Sequence, residues 1–371
     1  MVTERHFPKR ALLPAVALAA AIGIVSPWPA AAAQTEAERV APLVEAAKRE
    51  GEVHYIDPVV TSKTQEALAR AFRKKYGLPE SFKVMATVRG TGEVVASVQQ
   101  EIKAGRHTVD VVRVPSPPFF RAAAKQGYLM SYLSPEWRHY ERTAHRFGLD
   151  AQPPYFVVPS GYTFVPAWNR KAITADIRSW YDMLNPAFRG RAIMGDIRKS
   201  ASQMDVYIGL RKALGDDFFP RYGEVTKPIF MFRMEEKIGK LISGEYAITM
   251  FMTYGRVYQR VSESPELDLA VATPREGVVL IGEHIGILAK APHPNAAKLF
   301  MDFWLSEEGM TEYVRGEAYI PFREGFRYPA EVRRFLPALE DLKVIPVNWA
   351  ELTAQDREAA KAHFRKAFGV D

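Results

Sequence analysis

The chain has 371 residues, no cysteine, a formal net charge of +7 and 47% hydrophobic residues. The lack of cysteine excludes disulfides, thiolate metal sites, cysteine nucleophiles and a lipid-modified cysteine at a mature amino terminus. The length exceeds what one hydrophobic core supports and points to two lobes.

The first 33 residues read as an export signal. Arg5, Lys9 and Arg10 form a basic start, Ala11–Val25 is an apolar run interrupted only by Pro14, and Ala31-Ala32-Ala33 supplies the small residues a signal peptidase needs. The run is too short to span a bilayer. Export without a lipid tether implies a periplasmic protein, expected to be soluble and monomeric. Three bases against one acid (Glu4) leave with the signal, so the mature chain carries +5. An exported protein rarely meets nucleic acid, and a modest positive field instead draws small anions into a cleft.

Along the mature chain, Val40, Leu43, Val44 and Ala47 recur at helical spacing until Gly51. Val53–Ile56 is a short strand, followed by Thr61-Ser62 and a helix with Leu68, Ala71 and Phe72 on one face. Phe82, Val84, Ala86 and Val88 follow strand periodicity. Arg89-Gly90-Thr91-Gly92 then leads into a helix carrying Val95, Val98 and Ile102. Val109–Val114 is another strand, and Ser116-Pro117-Pro118 opens a helix around Phe119–Lys125. Three strand–loop–helix units predict an α/β sheet whose ligands sit at the carboxyl ends of the strands.

Tyr132–Pro166 is rich in aromatics and proline and reads as irregular structure leading into a second lobe, where Gly161–Asn169 resumes as a strand. Trp180–Leu184 is a short helix capped by Ser179. Arg191–Leu210 is the segment around which a site can form. Ala192–Met194 has the look of a strand end, Gly195-Asp196 breaks it, and Ser200 and Ser202 precede a helix with Val206, Leu210 and Leu214 one turn apart. A serine-capped helix start offers free N–H groups and a positive dipole end, which can hold an anion without a charged side chain. Lys237–Ile242 is a further helix, Tyr246–Phe251 a strand, and Tyr254-Gly255-Arg256 enters the helix Val257–Val261. Leu267–Thr273 and Val278–Ala289 are strand-rich and return the chain to the first lobe, Ala296–Leu305 is an amphipathic helix, and Thr353–Phe368 is a charged amphipathic tail. The expected division is residues 34–160 plus 275–325 for the first lobe, and 161–274 plus 326–371 for the second, with hinge strands between them.

Each lobe is expected to supply helix starts and hydroxyls to an anion. Tyr254, at a strand end, is a candidate contact; the alternative is a packing tyrosine. Arg256 suits bidentate pairing with phosphate, sulfonate or carboxylate, or is merely solvated. Arg89 and Thr91 flank glycines that allow close backbone approach, although Val95 stands where a dinucleotide fingerprint needs its third glycine. Ser116 is either a contact or a simple cap. Asp110 reads as a structural partner within its strand. Glu283-His284 lacks the second histidine at i+4 that a zinc-hydrolase helix requires.

Several segments match a known family in order. These are Glu50-Gly51, Trp180…Leu184-Asn185-Pro186…Phe188-Arg189-Gly190, Ser243-Gly244-Glu245, and His293-Pro294-Asn295-Ala296-Ala297-Lys298-Leu299-Phe300…Leu305-Ser306-Glu307-Glu308-Gly309. Together they resemble the ferric-ion-binding branch of the family 1 extracellular solute-binding proteins of ABC importers. The resemblance implies a type II, two-lobe flytrap that hands its solute to an inner-membrane ABC permease. It also implies that ferric members use a histidine from the first loop, a glutamate after the Asp-Val strand, two adjacent tyrosines and a synergistic anion. Here the first loop offers Thr61 and Ser62, Pro115 or Ser116 holds the acidic position, and Tyr254-Gly255 replaces the tyrosine pair. Fe(III) wants several anionic oxygens, and this set is poor in them. Ser200-Ala201-Ser202 occupies the family's anion-holding position.

The expected function is therefore capture of a small phosphate-, sulfonate- or carboxylate-bearing solute for import, with no cofactor and no nucleic acid. One alternative is ferric iron with a synergistic anion, with Tyr254 as a ligand. A second is a periplasmic hydrolase, against which stand the missing G-x-S-x-G, H-E-x-x-H and P-loop motifs. A third, a sensory or adhesive module, shares the fold and differs in partner.

Overall fold

The computed structural model describes residues 36–349 and 351–371. The export signal expected over residues 1–33 lies outside the described residues. In chain order the elements are α1 (Glu36–Glu50), β1 (Glu52–Asp57), α2 (Ser62–Tyr76), β2 (Lys83–Val88), α3 (Thr91–Lys103), β3 (Val111–Val114), α4 (Pro117–Lys125) and α5 (Glu141–Phe147). Then follow β4 (Phe156–Tyr162), β5 (Val165–Asn169), β6 (Ala192–Gly195), α6 (Ala201–Leu214), α7 (Phe218–Thr226), β7 (Ile229–Met231), α8 (Met234–Ser243), β8 (Ile248–Met252) and α9 (Tyr254–Glu263). The chain closes with β9 (Leu269–Val271), β10 (Ile281–Ile287), α10 (Pro294–Leu305), α11 (Glu307–Glu317), β11 (Ile320–Pro321), α12 (Ala330–Arg333) and α13 (Ala354–Phe368).

These build a mixed α/β fold with two sheets. The first has the order β11-β4-β10-β3-β1-β2, the second β7-β6-β8-β5-β9. Within the first, β1 runs parallel to β2 and β3, and β10 runs antiparallel to β3 and β4. In the second, β6 is parallel to β7 and β8, while β5 is antiparallel to β8 and β9. In each sheet three parallel strands feed helices from their carboxyl ends: α2, α3 and α4 in one, α6, α8 and α9 in the other. Those ends are where an open α/β sheet presents ligand-binding loops.

The chain crosses between sheets three times. Residues 163 and 164 join β4 to β5, residues 272–280 join β9 to β10, and residues 343–349 leave the first sheet toward α13. The second crossing shows why the sheets hold their relation. Val278 and Leu280 are buried in the first hydrophobic core, whereas Val279 and Ile281 are buried in the second. An extended backbone turns successive side chains to opposite faces, so one strand feeds both cores. The third crossing runs beside it, with Val278 N donating to Lys343 O (2.9 Å) and Ile345 N to Val278 O (2.8 Å). Gly277 opens this stretch at φ +116, and a Cβ there would meet Lys343 O at 2.6 Å, so only glycine fits.

Two boundaries differ from the sequence reading. Gly161 and Tyr162 end β4 in the first sheet instead of opening the second, because the run 161–169 breaks at Thr163-Phe164. Residues 326–342 side with the first lobe: Val332, Leu336, Leu339 and Leu342 are buried in its core. The tail helix α13 does pack on the second sheet's side, where Phe364 meets Phe230 (5.3 Å) and the Tyr207 hydroxyl meets His363 Nδ1 (2.7 Å). The helix α7 and most of α11 carry no counterpart in the sequence reading.

At the centre of the first core, Phe300 is fully buried between Tyr55 (5.1 Å), Phe72 (5.3 Å) and Trp304 (5.6 Å). Phe300→Ala deletes a buried ring that neighbours on three sides cannot replace. It should lower unfolding stability by about 3–5 kcal/mol, read as a reduced urea midpoint at unchanged m-value.

Candidate functional site

A cavity of about 220 Å³ lies between the two sets of carboxyl-end loops. One water needs roughly 10–15 Å³ of such space, so the cavity has room for a small solute. Its second-lobe wall is made of the starts of α6, α8 and α9. Ser200 caps α6, its Oγ accepting from Gln203 N, and stands 3.3 Å from the Ser202 hydroxyl. No acidic residue lies in the first turn of α6 or of α9. Thr253 caps α9 by accepting from Arg256 N (3.3 Å). The Arg256 guanidinium lines the cavity, bound at Nη1 by Glu235 (2.6 Å) and by Gln259 Oε1 (2.9 Å).

Behind this wall lies a buried amine. Lys237 Nζ is enclosed and donates to Gln203 Oε1 (3.2 Å) and Phe251 O (2.9 Å). Gln203 itself faces the cavity and fixes its amide by donating to Phe232 O (2.8 Å). Burial, only partly offset by the Asp196 carboxylate, pushes the Lys237 amine down to about 7.

The first-lobe wall is Pro58 and Val59 after β1, Gly90 and Thr91 at the start of α3, and Glu317 and Tyr319 after α11. Tyr162 and Phe164, at the first crossing, form the floor, and the Tyr162 and Tyr319 rings stand 5.1 Å apart. Glu317 is only 3% exposed. Its Oε1 accepts from Thr61 N (2.8 Å), Thr61 Oγ1 (3.0 Å) and Thr64 Oγ1 (2.6 Å), and its Oε2 accepts from Gln259 Nε2 (3.0 Å) across the cleft. Beside it the lobes touch directly. A Cβ on Gly255 would meet Glu317 O at 2.1 Å, so this helix start reaches the first lobe only as glycine.

Of the residues singled out in the sequence, Thr91, Ser200, Ser202 and Arg256 line this cavity. Thr61 caps α2 but spends its backbone N–H and hydroxyl on Glu317, so an internal carboxylate already takes that position. Ser62 and Arg89 are exposed outside the lining. Ser116 stands at the N-cap position of α4 without a side-chain bond to the helix; its neighbours Pro115 and Pro117 border a separate recess of about 20 Å³, room for one water. Tyr254 is 3% exposed, packs into the first core and meets Thr273 Oγ1 at 2.5 Å, away from the cavity. Burial raises its phenol well above the ordinary value, so it is held neutral.

Three further candidates have structural surroundings. Asp110 accepts from His54 N (2.8 Å) and His293 N (2.7 Å). Glu283 and His284 project to opposite faces of β10. Glu283 faces Arg113 (3.8 Å), while His284 stacks on Phe120 (5.4 Å) and is pushed by burial down to about 3. Among the described residues no group of three His, Asp or Glu side chains is placed to hold a metal ion.

Gln203, Gln259, Tyr162, Tyr319 and Glu317 escaped the sequence reading. For Glu317 a signal was present: Ser306-Glu307-Glu308 caps a helix whose Met310, Tyr313 and Val314 are apolar at turn spacing, and Glu317 continues that stripe as an acid. An acid on an apolar face marks a carboxylate with a buried task.

A pair of α/β lobes with crossing strands and a solute-sized cleft at the strand ends defines a two-lobed binding protein. The chain belongs to the bacterial extracellular solute-binding proteins, whose family model matches residues 107–354. Members of this family capture small solutes for ABC importers. No curated protein matches the chain in sequence. Among solved structures, iron-bound HitA from Pseudomonas aeruginosa is similar at 20% identity and a TM-score of 0.64, covering 85% of this chain and 99% of that one. AfuA from Actinobacillus pleuropneumoniae, with fructose-6-phosphate bound, is similar at 18% identity and a TM-score of 0.65, covering 86% and 98%. The spermidine/putrescine-binding protein PotD from Streptococcus pneumoniae is similar at 13% identity and a TM-score of 0.64, covering 85% and 98%. At these identities the likeness is one of fold, and the solutes in those structures differ in charge and kind. Among the described residues no helix is long and apolar enough to cross a membrane.

The Lys237 environment sets a pH dependence. The unfolded chain takes this proton near 10.5 and the folded protein near 7, so between those values the unfolded state binds more protons and stability rises with pH. In urea titrations from pH 7 to pH 10, wild type should gain on Lys237→Met as pH rises. A pH-independent difference would mean that Lys237 titrates as an ordinary lysine.

Proposed function

We propose that this protein is the substrate-binding component of an ABC importer and that its solute is a small molecule bearing an oxyanion: phosphate, sulfonate or carboxylate. The observation that carries this is the second-lobe wall. The starts of α6 and α9 open on the cavity without an acid in either first turn, with Ser200 and Ser202 hydroxyls and the Arg256 guanidinium beside them. Free N–H groups and the positive dipole end of a helix favour an anion, and a guanidinium adds charge-assisted hydrogen bonds. The AfuA neighbour, with a sugar phosphate bound, is a precedent for such a solute on this fold.

The ferric alternative is disfavoured on chemical grounds. Tyr254, its expected ligand, is buried, neutral and turned to Thr273. The second tyrosine position is Gly255, pressed against Glu317 O. Fe(III) prefers several anionic oxygens, and the cavity supplies one carboxylate already engaged by four donors. The hydrolase alternative lacks a nucleophile–base pair in the lining, and the family is one of transport.

Native mass spectrometry of protein purified without added ligand should retain a phosphate-, sulfonate- or carboxylate-bearing compound, and a stoichiometric iron atom would overturn the reading. Ser202→Ala should weaken binding of that compound by about 1 kcal/mol, the value of one hydrogen bond. Arg256→Ala should weaken it more, and unchanged affinity in both, by isothermal titration, would remove the site.

A further inference from the structure

The two walls of the cavity are opposite in polarity. On the second-lobe side lie the open starts of α6 and α9, Arg256 with Glu235 paired to its Nη1 (2.6 Å) and, one layer back, the Lys237 amine. On the first-lobe side the charge that faces the cavity is the Glu317 carboxylate. Its four hydrogen bonds come from Thr61, Thr64 and Gln259, all uncharged donors, and none of the described residues makes a salt bridge to it. Along this wall the start of α3 and the loop between β1 and α2 are also met by acids of this chain. Gly90 N donates to Glu93 Oε2 (3.1 Å), and Val59 N and Val60 N donate to Asp57 Oδ1 (2.7 and 2.9 Å). The first lobe therefore has little to offer an anion and a buried negative charge to set against it.

A simple oxyanion on the second-lobe wall would face Glu317 across a cavity only a few solvent molecules wide, in surroundings where charges are weakly screened. A simple cation would suit Glu317 but leave the open starts of α6 and α9, whose dipole ends are positive, facing a like charge. Both walls are satisfied by one molecule with both charges a few bonds apart. The aromatic lining fits the cationic end: Tyr162 and Tyr319 stand side by side next to Glu317, and ring faces attract ammonium groups.

We infer that the solute is a small zwitterion, its oxyanion on the starts of α6 and α9 with Arg256 and its ammonium group directed to Glu317 beside Tyr162 and Tyr319. This rests on the oxyanion reading above and narrows it to aminated members of that class.

The test is isothermal titration with three matched pairs of equal length: 2-aminoethyl phosphate and ethyl phosphate, taurine and ethanesulfonate, β-alanine and propionate. In whichever pair has the accepted head group, the aminated member should bind about ten-fold tighter or better. Glu317→Gln keeps an acceptor for the two threonines and removes the charge, and it should shrink that preference to within about three-fold, weakening the aminated member and relieving the plain anion of the facing carboxylate. Should Glu317→Gln fail to fold, the wild-type ratios decide alone. Plain anions binding as well as their aminated partners would overturn the zwitterion and leave the oxyanion reading standing. Binding of none of the six would overturn both.

Discussion

The relation between the lobes depends on four consecutive side chains. Val278 to Ile281 alternate between two hydrophobic cores, so the second crossing cannot shift along its axis without withdrawing residues from both. A register slip of one residue would exchange the faces entirely. The Lys343–Ile345 segment pairs along this crossing, and Trp180 Nε1 donates to Gly277 O (2.8 Å) from the second lobe. The carboxyl-end loops of the two sheets are thereby held facing each other, and the cavity is a result of this constraint.

Beneath the first-lobe wall lies a buried ion cluster that fixes the ends of β1 and β3. Arg113 is fully buried, 2.5 Å from Asp57 and 3.8 Å from Glu283, with its guanidinium 4.4 Å from the Tyr313 ring centre and 5.6 Å from that of Tyr319. Burial raises the Glu283 carboxyl to about 7. Buried charges of this kind contribute little net stability, because desolvation offsets their attraction, but they fix geometry. Here the geometry is that of Tyr319, which Arg113 backs on one side and the cavity borders on the other. The polarity of the cleft follows from how each lobe treats the helix starts that border it: the first meets those of α2 and α3 with its own carboxylates, the second leaves those of α6 and α9 open.

Much of this was legible in the sequence. Strand–loop–helix alternation predicted both sheets, and Ser200-Ala201-Ser202 marked the start of α6 because capping chemistry is local and leaves a local trace. The reading placed Arg256 and Thr91 on the cavity for the same reason: both sit at helix starts, which the fold directs to the cleft. Tyr254 went the other way. It is the first residue of its helix, and whether such a side chain faces ligand or core is decided by what packs behind it, here Thr273 and the first core. Thr61 was read as a solute contact, but the carboxylate that occupies it comes from 256 residues further along the chain. Contacts at that separation leave no mark in local pattern. The division at 326–342 was missed for a related reason, since an apolar stripe states that a segment is buried and not against which sheet.

The seating of α9 has a bearing on how such a molecule lets go. Although this helix grows from the second sheet, Tyr254 and Tyr258 are buried in the first core, the Tyr258 ring packs on Phe335 (5.5 Å), and its hydroxyl donates to Arg315 O (3.0 Å). Parting the jaws on this side wets two aromatic rings whether or not any guest is inside. Opening on this side therefore carries a cost set by the protein's own packing, separate from whatever contacts the guest makes.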